Sequence, residues 1–134
     1  MFIYGTSAFL CATYDNANKY TYENIDTNIH TIIFNDENNN TYYDGVLKGT
    51  DVKFDLPSQS TKTINIFATG GGGDTSRIAG RIYNCKIYDK STTPKTLVRD
   101  FIPCYRNSDN EIGLYDLVND MFYTNSGTGT FIAG

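Results

Sequence analysis

"RIYNCKIYDKSTTPKTLVRDFIPCYRNSDNEIGLYDLVNDMFYTN", residues 81–125, decides the fold. In its first ten residues Tyr83, Cys85 and Ile87 fall on one side of an extended chain, and Ile82, Asn84, Lys86 and Tyr88 on the other. That period of two belongs to a β-strand. "KTLVRDFIPCYR" (95–106) predicts a further strand. Pro103 is expected to mark its end or a sheet edge, because proline has no N–H to give to a ladder. "EIGLYDLVNDMFYTN" (111–125) supplies the next elements, and "TFIAG" (130–134) the last, after the divider "SGTG". The segment nearest to a helical pattern is "TPKTLVRDF", but its β-branched residues and alternation predict a strand.

The same punctuation continues upstream. "NIHTIIF" (28–34), the polar loop "NDENNN" and "TYYDGVLKG" (41–49) predict a hairpin, and the Asp-Gly pair in "YDGV" turns the chain again. "VKFDL", a loop opened by Pro57 and "TINIFAT" predict two more strands. Strands about every 10 residues with turn chemistry between them imply an antiparallel sandwich or barrel. Eleven Tyr and eight Phe without Trp, together with many Asn, Asp and Gly, point the same way. At 134 residues the chain is expected to be one domain, 1–134, able to bury about two-thirds of its unfolded surface.

Composition also removes function classes. The net charge is −4 with eleven scattered Lys and Arg, so no basic field exists for nucleic acid. No apolar run approaches the ~20 residues that span a bilayer as a helix, and no membrane partner is expected. The N-terminal apolar stretch lacks a basic region before it and does not read as a signal peptide. Cys11, Cys85 and Cys104 contain no CxxC pair and read as small half-buried apolar residues.

"FATGGGGDTSRIAG" (67–80) has the ingredients of a phosphate cradle, yet no Gly-Lys-Ser/Thr closes it and a strand pattern follows. The glycines are therefore expected to serve a strand connection, on which Asp74, Ser76 and Arg77 are candidate ligand contacts. Asp36, Asn38 and Asn40 alternate like the start of a calcium loop, but Thr41 and Leu47 stand where an EF-hand needs Gly and Glu. His30, the single histidine, has no nucleophile pattern near it, and Glu23 and Asp26 do not make a catalytic pair on one strand face. No catalytic residue, metal or cofactor is assigned, and structural calcium from distant loops is the one metal left open. Arg99 and Asp100 face opposite sides of their strand, so one needs a partner in the core, and Asp116 is the candidate for Arg99.

The blocks "KIYD" (86–89), "LVRDFIPC" (97–104), "IGLYDLVN" (112–119), "FYTN" (122–125) and "GTGTFIAG" (127–134) stand in fixed order. This half of the chain closely resembles the C-terminal end of laminin G-like domains of the concanavalin A-like lectin/glucanase superfamily. The resemblance is to the branch found in bacterial surface proteins and phage tail or virion proteins. "TYYDGVLKG" is similar to that family's strand–turn–strand hairpin.

The resemblance implies an all-β fold, a two-sheet antiparallel jelly-roll sandwich, here without the family's usual N-terminal strands. It places Cys85 where a large apolar residue is usual, implying a buried thiol. Open sheet edges would follow from the missing strands, so a homo-oligomer or strand pairing with another chain is expected. The implied function is a non-catalytic recognition module on a virion or cell surface, with a glycan or surface protein as partner. Tyr42, Tyr43, Tyr83 and Tyr88 are its candidate stacking groups. The alternative is a structural assembly domain without a small ligand.

Overall fold

The computed structural model describes residues 2–4, 8–12, 19–23, 26, 28–34, 36–50, 80–125 and 130–133. Within them the chain is all-β, with antiparallel sheets and no helix. They fall into two compact units, Met1–Gly80 and Arg81–Gly134. The predicted strands in "VKFDL" and "TINIFAT", and the glycine connection before Gly80, lie outside the described residues.

The first unit holds two three-stranded sheets. One is formed by β1 (Phe2–Tyr4), β2 (Ala8–Ala12) and β3 (Lys19–Glu23) in chain order. The other joins β4 (Ile32–Ile33), β5 (Thr41–Tyr43) and β6 (Val46–Gly49), also in chain order. The Asp-Gly signal works as the sequence predicts. Asp44 and Gly45 both take positive φ, 49° and 77°, which gives the two-residue turn whose twist matches a hairpin. The strand expected across 28–34 is shorter than its pattern. Only Ile32 and Ile33 pair with β5, opposite Tyr43 and Tyr42, and His30 lies on the approach to the strand. Thr41 is fully buried and its hydroxyl finds no partner among the described residues.

The second unit is a four-stranded sheet in the order β10-β9-β8-β7, made of β7 (Cys85–Asp89), β8 (Thr96–Tyr105), β9 (Ile112–Asp116) and β10 (Met121–Tyr123). Its two tight connections, 106–111 and 116–121, each end on a residue in the left-handed region, Asn110 (φ 60°) and Asp120 (φ 57°). Asn and Asp tolerate that conformation better than other side chains. The Arg106 N–H bonds Glu111 O at 2.8 Å, and the Leu117 N–H bonds Asp100 O at 2.9 Å. The ladder phase is thereby fixed: even residues of β8 hydrogen-bond to β9, and odd residues point their N–H groups towards β7.

That phase corrects the expectation for Pro103 in part. The strand does not stop there, since β8 runs on to Tyr105 paired with β9, but beyond Phe101 its other side has no ladder partner among the described residues, so Pro103 stands on a local edge. Pro103 stands opposite Leu114 at an odd position, and β7 pairing ends at Phe101. Its missing N–H faces the side where no ladder bond is made, so the ring costs the sheet nothing. In β7, Cys85 and Ile87 are half-buried while Lys86 and Tyr88 are exposed. A register shift after Ile87 sets Tyr88 opposite Leu97, and the predicted alternation stops there. The "TFIAG" element is also corrected. Residues 130–133 form no strand, and Ile132 is 85% exposed.

Cys85 shares a face with Phe101, its opposite residue, whereas Cys104 points the other way, opposite Gly113. Both thiols are free and half-buried. Burial, and then the Asp100 charge, push the Cys85 thiol up.

Candidate functional site

Two places gather side chains with chemistry. The first is built by the β4–β5–β6 sheet. Thr31 and Asp44 stand next to the last pairs of this ladder, and the Asp44 N–H bonds Thr31 O at 2.9 Å. The left-handed backbone of Asp44 turns its carboxylate back over β4. One oxygen accepts the Thr31 N–H at 2.8 Å, and the other lies 2.7 Å from His30 Nδ1. On the far side of the ring, Asp26 Oδ1 lies 2.8 Å from His30 Nε2. Asp26 is set by its own Asx turn, accepting the Asn28 N–H and side-chain amide at 2.7 Å each. The imidazole stacks on Tyr43, with centroids 4.8 Å apart and planes at 28°.

Both ring nitrogens face carboxylate oxygens, an arrangement that the imidazolium, with its two N–H donors, satisfies on both sides. The bonds to Asp44 and then Asp26 raise its pKa above 6.5. Asp26 is lowered by the Asn28 N–H and then by His30, and Asp44 by His30 and then by the Thr31 N–H. Burial, followed by the two carboxylates, raises the Tyr43 phenol. With no lone pair left, the ring in this state is a cationic tie and has no nitrogen available as a general base.

The second place is a face of the four-stranded sheet. Directly opposite residues share a face, so Phe101, Pro103 and Tyr105 of β8 lie on one side with Ile112, Leu114 and Asp116 of β9 and Met121 and Tyr123 of β10. Tyr105 is 64% exposed and Tyr123 37%. Tyr123 meets Phe101 edge-on, with centroids 5.6 Å apart. Asp116 is fully buried at one end of this face. Its Oδ1 accepts the N–H groups of Asp100 and Val118 at 3.0 and 3.1 Å, and its Oδ2 accepts Asn119 Nδ2 at 2.7 Å. Arg99 Nε lies 3.5 Å from Oδ2, the partner expected from the sequence. Burial pushes this carboxyl up, but the bonds from Asn119, Asp100 and Val118 outweigh it and hold the pKa low. Asp100, on the other face, is 3.3 Å from Lys86, directly opposite in β7.

Asp74, Ser76 and Arg77 lie outside the described residues. Tyr42 and Tyr43 are neighbours in β5 and send their rings to opposite faces, so they cannot form one platform. Asn40 donates to the Tyr42 hydroxyl at 3.4 Å, and Tyr43 carries His30. In the second unit, Tyr83 is 49% exposed just before β7, and Tyr88 has Lys95 Nζ 4.6 Å over its ring.

Sequence reasoning passed over Tyr105 and Tyr123, whose odd positions in β8 and β10 would have placed them with Phe101 once the register was known. It also passed over His30, which was judged only as a triad member. Among the described residues, no group of three His, Cys, Asp or Glu side chains is arranged to hold a metal ion. Comparison of the chain with protein families, with characterised proteins and with solved structures gives no match.

Proposed function

We propose that this chain is a non-catalytic recognition module of the laminin G-like jelly-roll kind, holding a glycan or another surface ligand for a phage particle or bacterial surface. The observation that carries the reading is the pair of exposed rings, Tyr105 and Tyr123, on one face of the four-stranded sheet with Ile112 and Leu114 of β9 between them. A sugar presents flat arrays of C–H bonds, and an exposed ring held by a sheet meets them at little cost in side-chain entropy. The block resemblance in residues 86–134 is what supports the choice of fold family and of particle.

A glycan array, run with and without calcium, tests this reading. Binding to at least one glycan class is expected, and Tyr105→Ala and Tyr123→Ala should each weaken it by about tenfold, the size of a lost stacking contact. Binding to no glycan under either condition would sink the glycan form of the proposal.

The assembly reading has its own observation. Leu117, Val118 and Met121, at the β9–β10 end of the sheet, are 54%, 43% and 52% exposed. Aliphatic side chains grouped at one end suit a protein neighbour better than a sugar. The mass of the chain in solution at several concentrations separates the two readings. A concentration-dependent dimer favours assembly through this end or through an open sheet edge, and a monomer favours the binding module.

A further inference from the structure

The imidazole of His30 lies between the 26–28 turn and the hairpin sheet, and it donates to both only while both ring nitrogens carry protons. We infer that His30 is a pH-operated tie, which joins the Asp26 turn to the Asp44-Gly45 hairpin when protonated and lets the Asp26 turn go when neutral.

A neutral imidazole has one N–H and one lone pair. The lone pair then faces a carboxylate, and one of the two contacts turns repulsive. Which one is lost follows from how each carboxylate is anchored. Asp44 is fixed by the turn backbone, by its own N–H to Thr31 O and by the Thr31 N–H on its carboxylate. Asp26 is held by Asn28, inside the same short turn. The neutral ring therefore keeps its proton on Nδ1 for Asp44, and Asp26 departs with Asn28. The titratable groups facing the ring are Asp26 and Asp44 from the two turns and the Tyr43 phenol beneath it, whose proton stays on throughout this range. Lys48 is the charged side chain of β6 in the same sheet.

The pH window follows from the signs. The histidine pKa lies above 6.5 in the folded chain, so the tie is complete below about 6.5 and is lost as pH rises through the folded value. The two carboxylates lie below 3.8, so the acid side of the window opens only when pH falls through their lowered values. Between these limits the tie is closed.

Because the chain has one histidine, a single imidazole resonance reports the switch. The experiment is an NMR titration of the full chain from pH 5 to 9, following the His30 ring and the amides of Asn28 and Thr31. The expected result is a ring midpoint above 6.5, with the Asn28 amide moving to its released position at that midpoint and Thr31 keeping its hydrogen-bonded shift. Asp26→Asn should bring the ring midpoint down and disconnect Asn28 from it. Asp44→Asn should bring it down as well and move Thr31 at every pH. A ring midpoint at or below 6.5, an Asn28 amide that ignores the ring, or release of Thr31 in place of Asn28 would each overturn the inference.

Discussion

The hairpin sheet of the first unit and the four-stranded sheet of the second both rest on a polar knot, and the knots differ in kind. In the second unit the knot is Asp116, fully buried and fed by two backbone N–H groups and the Asn119 amide. Those donors are neutral, two backbone N–H groups and an amide, and they hold the Asp116 carboxyl below its ordinary value. In the first unit the knot is His30, partly open to water and held between two carboxylates on exposed turns. The comparison teaches that a backbone-fed carboxylate makes a permanent joint, whereas an imidazole between carboxylates makes a conditional one.

The largest effect should come from the permanent joint. Asp116→Ala strands the Asp100 and Val118 N–H groups and leaves Arg99 and Asn119 without their shared acceptor. Thermal unfolding by circular dichroism should show a midpoint lowered by more than about 10 °C, or no cooperative transition. A variant as stable as the parent would erase the distinction between the two knots.

Glycines sharpen the same contrast. A Cβ on Gly113 would sit 2.6 Å from Phe122 Cζ and closer still to the Tyr123 carbonyl, with Arg106 stacked 5.0 Å over that ring. Gly113→Ala must move backbone or ring and should cost about 2–3 kcal/mol in denaturant unfolding. At Gly45 a Cβ meets nothing, and only the φ of 77° resists it. Gly45→Ala should cost about 1 kcal/mol, the left-handed penalty alone. Equal costs at the two sites would mean that the β10 end packs no more tightly than an exposed turn.

The smallest effect is the conditional joint. Stability of the parent chain relative to His30→Gln should be greatest below about pH 6.5 and should fall as pH rises through the raised histidine value. Matched urea titrations at pH 6 and pH 9 measure it. A difference between parent and variant that is the same at both pH values would show that His30 acts by packing on Tyr43 and not by its charge.

Much of the fold was legible before any coordinates. The alternation in 85–88, the strand in 95–106 and the turn at Asp44-Gly45 depend on the local backbone, and each reappears in the structure. Arg99 could be matched with Asp116 as a candidate because a charge inside an apolar run demands a partner. The His30 tie was not legible. Asp26 and Asp44 stand four residues before it and fourteen after it, and only the pairing of β4 with β5 and the left-handed backbone at Asp44 bring them to one ring. The shared face of Tyr105 and Tyr123 was hidden likewise, since it depends on which residues stand opposite across two ladders.

The sequence alone thus determined the extension of 85–88 and 95–106 and the turn at Asp44-Gly45, because strand period and positive φ are set by neighbouring residues. Only the tertiary structure decided which polar groups meet, because strand register converts sequence distance into contact. A shift of one residue at β4–β5 would part Asp44 from His30, and a shift at β8–β9 would take Asp116 from Asp100.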